Sequence, residues 1–489
     1  MPILMILLLT AACLPVPWGR LLLPFDATVI ATIAVAYVTG SILLSAIGCR
    51  LVLRRIPLDR DSAIELYRRL RLWLGFGNIA IAAALVVSGW GWAVRELTSD
   101  ETGMLAPFAE VMVPAPYLIV LVANWFVWYH AERALHRTGS PRSHVFWSLP
   151  GYLLQQARQF TLMIFLPVFL IAGQQSVGRH APATSESTAF QIASFAGMIA
   201  LLIGLPLAMK RLLGLKKLPE GAIREQLVAT GKRLRFRCAD WLLWPTRGLA
   251  VNAMIVGFFP RARFVIFTDR LLDAFDPPEL DAVVGHEIGH ARHGHIPYYL
   301  AFFALGSAVM GTAVAALEAI PGWPSSLAGF GILFGVLGFE VYLFLVFGYL
   351  SRVCERQADV VGARAASCSD SNCRGHTEET ILADGGRSIC PTGVRAMVRA
   401  LDLVMALNGI ARPEPGSQRQ WLAAWWKSWQ HGPPSHRIDF LLSLIERPDR
   451  AVRHDRFAFR LRLGLVLMQS ALLAAAAWLM GWDEFSKPW

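Results

Sequence analysis

The chain has 489 residues, of which 55% are hydrophobic and only 17% charged, and it carries a formal net charge of +11. Soluble globular proteins hold closer to about a quarter charged residues, so the composition excludes an ordinary soluble globule and points to the membrane. The positive charge is almost all arginine, with lysine only at 210, 216, 217, 232, 427 and 487; the arginines lie in short stretches beside apolar runs, as topology signals do, and this pattern does not support nucleic-acid binding.

A membrane span needs roughly 20 apolar residues. Apolar runs occur at about 2–17, 27–49, 73–93, 112–129, 159–173, 189–209, 298–318, 326–350 and 461–482. No Lys or Arg precedes the first run, so it reads as a span rather than a secretory signal. The stretches between runs alternate in charge. Residues 49–72 hold Arg50, Arg54, Arg55, Arg60, Arg68, Arg69 and Arg71, whereas 94–111 hold Arg95 against Glu96, Asp100, Glu101 and Glu110. Residues 130–158 return to Arg133, Arg137, Arg142 and Arg158, and 174–188 hold Arg179 alone. Positive stretches stay in the cytoplasm. The alternation therefore assigns the two long polar segments, about 210–297 and 351–460, to the cytoplasmic side. The expected organisation is an N-terminal region of about six spans over 1–209, a cytoplasm-facing domain over 210–460 interrupted by spans at 298–318 and 326–350, and a last span and tail over 461–489.

Within 210–297, "LPEGAIREQLVATGKRLRF" has helical periodicity, and "GLAVNAMIVGFFPRARFVIFTDRLL" has short β-type runs broken by Gly257 and Pro260, which predict a hairpin or small sheet. "DPPELDAVVGHEIGHARH" then opens a helix, with Asp276 as N-cap, Pro277 in the first turn and Glu279 placed as in a capping box. On that helix His286 and His290 are one turn apart on the same face, so both imidazoles can reach one ion. Glu287 adjoins the first histidine. His-Glu-x-x-His supplies two metal ligands and a general base, although a solvated histidine-rich helix end would show the same five residues. A histidine six residues after His290 would complete one known ligand set, but that position is Ile296. The third ligand must come from elsewhere. "SRVCERQAD" extends the run ending near Leu350 and sets Glu355 and Asp359 on one helical face. Glu355 can bind the metal while Asp359 orients a ligating histidine; a surface ion pair of Glu355 with Arg352 or Arg356 is the alternative. His293 and His295 read as interface residues.

"HEIGHARHGH", "SRVCERQAD" and "VNAMIVGFFPRARFVIFTDRLL" together resemble the integral-membrane gluzincin zinc metallopeptidases, the family of the type I CAAX prenyl endopeptidases and the bacterial heat-shock protease HtpX. "HGPPSHRIDFLLSL" adds His431 and Arg437 in a similar His-Pro-Pro-x-x-x-Arg pattern, with Gly432 in place of the first proline. The resemblance covers roughly 210–450. It implies a mainly α, polytopic membrane protein whose cytoplasmic metalloprotease domain contains a small β-sheet. It implies one zinc per chain on His286, His290 and Glu355, with Glu287 as base and Asp359 behind the histidines. It also implies that Asn252 and Ala253 lie on an edge strand that aligns the substrate, and that His431 and Arg437 act at the catalytic centre. Arg437 has two possible roles, binding the developing oxyanion or pairing with a carboxylate, and the resemblance favours the first.

The expected function is a zinc endopeptidase acting on membrane or membrane-proximal proteins at the cytoplasmic face of a bacterial inner membrane, in quality control or processing, with peptide substrates and membrane lipids as partners. The competing reading is a polytopic zinc-binding transporter or sensor, suggested by Glu340 inside an apolar run. Cys368, Cys373 and Cys390 share one polar insertion with His376. Their spacing matches no standard zinc pattern, so the insertion reads as irregular.

Overall fold

The structure is a computed structural model and describes residues 25–98, 108–139, 145–248, 250–318, 335, 338–370, 372–383, 385, 387, 389–407 and 430–480. The expected first span at 2–17 lies outside the described residues, as do residues 326–334, 336 and 337 of the run at 326–350. The chain divides into two compact units, one comprising 1–202 with 317–336 and the other chiefly 203–316 with 337–487.

The first unit is helical. Helices α1 (Ala27–Arg55) and α2 (Arg60–Val87) are joined by a tight turn in which the Asp59 side chain accepts from the backbone amides of Asp61 and Ser62. This N-cap satisfies two amides that no helical carbonyl can reach. The arginine-rich stretch expected between two spans is therefore mostly helix: Arg50, Arg54 and Arg55 end α1, and Arg60, Arg68, Arg69 and Arg71 begin α2. Next come α3 (Trp90–Leu97), α4 (Ala115–Gly139), α5 (Leu149–Phe160) and α6 (Leu166–His180). A π-turn at Thr161–Phe165 joins the last two, so the short run at 159–173 is the middle of a longer, bulged helix. The two buried carboxylates Glu110 and Glu132 are paired, which offsets the cost of taking them from water. Glu132 accepts from the hydroxyls of Tyr67 at 2.7 Å and Tyr152 at 2.8 Å, and Glu110 accepts from Arg95 at 2.9 and 3.0 Å.

Helix α7 (Thr188–Leu212) leads into the second unit. There, β1 (Lys216–Lys217), β2 (Asp240–Trp244), β3 (Ala253–Val256) and β4 (Phe264–Thr268) form a mixed sheet in the order β1-β2-β4-β3. β3 and β4 are the antiparallel pair that the two β-type runs announce, while β2 runs parallel to β4. Helix α8 (Ala222–Arg233) precedes β2. Beyond the sheet come α9 (Pro277–Arg292), α10 (His295–Glu318), α11 (Gly348–Ala365), α12 (Pro391–Leu407), α13 (Pro434–Glu446) and α14 (Asp449–Met480).

One core joins sheet and helices. Val265 and Phe267 of β4, Leu280 and Ala282 of α9, Val360 of α11, Met397 of α12 and Leu441 of α13 are all buried in it. Helices α9 and α11 approach closely because glycines line the contact: a Cβ on Gly285 would stand 2.3 Å from the Cβ of Ala365, and one on Gly289 would stand 2.8 Å from the Cα of Ala358.

Among the described residues, five helices are long and apolar enough to cross a membrane: Ala27–Arg55, Arg60–Val87, Thr188–Leu212, His295–Ala316 and Asp449–Leu479.

Candidate metal centre

The first two candidate ligands come from α9. Asp276 has the extended backbone of an N-cap and Pro277 begins the helix, but the Asp276 side chain makes no capping bond. Glu279 does not complete a capping box either. It is buried and accepts a 2.6 Å bond from Arg399 of α12, a partner 120 residues away that outcompetes the local one. The helix ends at His293, and Gly294, at φ +64°, separates it from α10. That left-handed turn favours glycine.

His286 and His290 point their Nε2 atoms at one another, 3.2 Å apart. Glu355 of α11 faces both, with carboxylate oxygens 3.6 Å from His286 Nε2 and 3.7 Å from His290 Nε2. The opposite ring nitrogens are occupied. His286 Nδ1 lies 2.9 Å from Asp359 Oδ1, and His290 Nδ1 lies 2.9 Å from His295 Nδ1. A neutral imidazole carries one proton. If each Nδ1 holds it for that outer partner, both Nε2 atoms are bare acceptors, and two lone pairs and a carboxylate converge on one point. Such a point is repulsive unless a cation occupies it. The spacing also suits zinc. Zn–N bonds of about 2.0–2.1 Å at a tetrahedral angle put nitrogens about 3.3 Å apart. His286, His290 and Glu355 thus form a group able to hold a metal ion.

The electrostatics around this group are strongly biased. Burial pushes Glu355 up, but Arg437 and His431 outweigh it and hold the carboxylate well below its usual range. Asp359 is likewise held low, with Arg437 and His286 overcoming burial. Burial drives His290 down to about 4, the neutral form that a metal ligand needs. His286 goes the other way, because Asp359 and Glu355 outweigh its burial. Glu287 lies among the same charges, and desolvation raises its carboxyl to about 7 against the pull of His286.

His295 had the look of an interface residue. It is fully buried instead, between His290 and the Gln357 side chain, whose Oε1 is 3.0 Å from its Nε2. Gln357 in turn donates to Asp455 of α14 at 3.1 Å, and Asp455 accepts from Arg387 at 2.8 Å. His290 is therefore held from behind by a chain of four side chains. Sequence spacing missed it, because five residues would put His295 off the His290 face of a continuous helix.

Arg437 is buried, and its guanidinium is fully engaged. Nε and Nη2 donate to the two Asp359 oxygens at 2.8 and 2.5 Å, and Nη1 lies 2.9 Å from Glu355 Oε2. Of the two roles considered, this geometry supports the pairing one, not the favoured oxyanion contact. His431 Nδ1 lies 2.9 Å from Glu355 Oε1, and its side chain is largely exposed. The next residue, Gly432, has φ +75°. Proline is fixed near −65°, so the departure from the His-Pro-Pro pattern is required by the local backbone.

β3 is an edge strand of the sheet; Ala253 begins it and Asn252 is the residue before it. Asn252 itself is tied inward: its amide donates to Thr268 Oγ1 at 3.0 Å and its carbonyl accepts from the Thr268 amide at 3.0 Å. Antiparallel pairing alternates, so Ala253 and Ile255 turn their main-chain groups to the outer edge. The Ile255 amide is close enough to pull down the Glu287 carboxyl. The free edge and the metal group therefore adjoin one another.

Residues 237–415 match the sequence profile of peptidase family M48. Over this stretch, a little over a third of the chain, the sequence is similar to that family. A "Protease HtpX homolog" from Pyrobaculum aerophilum is 37% identical over 122 residues, 24% of this chain and 35% of that protein. A "CAAX prenyl protease 1 homolog" from Arabidopsis thaliana is 30% identical over 83 residues, 17% of this chain and 20% of that protein. The matched stretch thus spans about a third or less of these curated relatives. The crystal structure of S. mikatae Ste24p shares the fold, with a TM-score of 0.53 at 14% identity over 87% of this chain and 98% of that one. The M48-like stretch sits in a multi-pass integral membrane protein, with five helices among the described residues long and apolar enough to span.

Proposed function

We propose that the protein is a membrane-embedded zinc endopeptidase that hydrolyses peptide bonds of membrane or membrane-proximal proteins. The carrying observation is the convergence of two imidazole Nε2 atoms and a carboxylate, with Glu287 beside them and a strand edge alongside. His286, His290 and Glu355 hold the zinc, and Asp359 and His295 fix the two rings through their Nδ1 atoms. Zinc bound there supplies Lewis acidity to the scissile carbonyl. The outward main chain of Ala253 and Ile255 pairs with an extended substrate and sets its register. Glu287, raised by desolvation, takes the proton of the attacking water and passes it to the leaving amine. His431, exposed and next to Glu355, is placed to donate to the developing oxyanion. Asn252 contributes its exposed side chain, since its backbone is used within the sheet.

We further infer from the arginine alternation that the metal centre faces the cytoplasm of a bacterial inner membrane, and that the work is quality control or processing. Membrane-impermeant labelling of intact cells should miss a cysteine engineered at Pro219 and reach one at Thr184; the reverse pattern would overturn the orientation.

The activity test is Glu287→Gln in the full-length protein. It should keep its zinc and lose peptide cleavage, because it removes the base and no ligand. A chelator should abolish wild-type cleavage, and zinc should restore it. Near-normal cleavage by Glu287→Gln would end this reading. Comparing membrane proteomes of wild-type and Glu287→Gln cells should identify the substrates.

A further inference from the structure

The insertion between α11 and α12 is not irregular at its base. We propose that Cys368, Cys373, His376 and Cys390 bind a second, structural zinc ion that staples this insertion to the junction of the two helices. The four ligand atoms lie within 4.8 Å of one another. Four, two and thirteen residues separate successive ligands, and the long last interval hides the pattern from a spacing search.

Three observations carry the assignment. First, Cys390 Sγ and Cys368 Sγ are 3.7 Å apart. A disulfide would need about 2.05 Å, whereas two thiolates on one tetrahedral zinc, with Zn–S near 2.3 Å, stand about 3.8 Å apart. Second, Cys390 Sγ sits at the N-terminus of α12 as a thiolate would. It accepts from the backbone amides of Gly393 at 3.5 Å and Cys368 at 3.4 Å. Third, His376 Nε2 is buried and has no hydrogen-bond partner. An imidazole nitrogen shut away from water without a partner is costly, and a metal bond satisfies it.

The local backbone is shaped for this cluster. The turn Arg374–His376 lies so close to the start of α12 that a Cβ on Gly375 would stand 2.3 Å from the Cα of Cys390. Any side chain there would lift Cys373 and His376 away from Cys390. At the start of α12, a Cβ on Gly393 would stand 2.1 Å from the Ala363 carbonyl oxygen of α11, so the cluster sits where the helix bearing Glu355 meets α12. With four protein ligands the site is closed, which is the structural rather than the catalytic form of zinc coordination.

The test is metal content and ligand type in the full-length protein, purified with reductant and without added metal. Wild type should carry two zinc ions per chain, and Cys373→Ser and Cys390→Ser one each. His290→Ala, which breaks the first site, should keep one zinc whose X-ray absorption shows three sulfurs near 2.3 Å and one nitrogen. That last measurement decides the matter even if the cysteine variants do not fold. A His290→Ala protein with no sulfur-bound zinc, or a disulfide between Cys368 and Cys390 in freshly isolated membranes, would overturn the proposal. Because the readout is sulfur-bound zinc and not cleavage, failure here is distinct from failure of the peptidase reading.

Discussion

Replacing Arg437 with methionine separates its two possible roles. The change keeps most of the side-chain volume but removes all three contacts to Asp359 and Glu355. Asp359 is 0% and Glu355 3% exposed, so two carboxylates one helical turn apart lose their common counter-ion. Breaking a buried ion pair on one side costs about 3–5 kcal/mol. Zinc still neutralises Glu355, but Asp359 keeps only His286 and will hold that ring less well. Loss of such an outer partner lowers metal affinity by roughly 10–100-fold. For a domain of this size, 3–5 kcal/mol is a fall of roughly 6–20 °C in melting temperature. Arg437→Lys should lie between, since one ammonium can satisfy one carboxylate but cannot reproduce the fork. The assays are zinc affinity by chelator competition, thermal melting in detergent, and kcat. If Arg437 instead bound the oxyanion, kcat would drop about 10²–10³-fold with zinc affinity and melting unchanged. That outcome with Arg437→Met would refute the pairing role.

His295→Phe should fill the same space but leave His290 Nδ1 without its partner, and weaken zinc roughly 10–100-fold; competition titration measures this, and wild-type affinity would show that the contact does nothing. Gly289→Ala should push α9 from α11 at Ala358, costing about 1–3 kcal/mol and reducing zinc occupancy, read by melting and metal analysis. Ala253→Pro should raise KM or lower kcat/KM at full zinc occupancy, because it deletes an outward amide of β3 while every metal ligand stays; unchanged kcat/KM would exclude strand pairing at that position. His431→Phe should bind zinc normally and lower kcat more than it raises KM, and a wild-type kcat would remove His431 from the catalytic centre.

What could be read from the sequence was what is local. The helix carrying His286 and His290 follows from Pro277, the one-turn spacing and Gly294, all within some twenty residues. The apolar runs found five helices of membrane length because hydropathy is a property of the segment itself. β3 and β4 were legible as adjacent β-type runs. β2 was not, because it pairs with β4, which comes after β3 in the chain, and nothing near Asp240–Trp244 announces that crossover. Local rules failed where a distant residue competed. Glu279 has the capping-box position but is taken by Arg399, and the arginines beside α1 and α2 are helical because Asp59 caps a turn that charge counting cannot see.

The metal site shows the same division. His286, Glu287 and His290 are one motif, and Glu355 and Asp359 another, so each half was visible. What joins them is tertiary. Gly285 and Gly289 admit α11 closely enough for its carboxylates to reach the imidazoles, and the glycines read as ordinary helix positions until the facing helix is known. The outer partners differ for the same reason. His286 is backed by a carboxylate that belongs to the motif on α11. His290 is backed by His295, which reaches it because the helix breaks at Gly294. An imidazole accepts a hydrogen bond without carrying the charge of a carboxylate, so His290 gains less basicity from behind than His286 does. The opposite shifts of the two rings follow from that difference. The centre is thus built asymmetrically, with one ring backed by a carboxylate and the other by an imidazole.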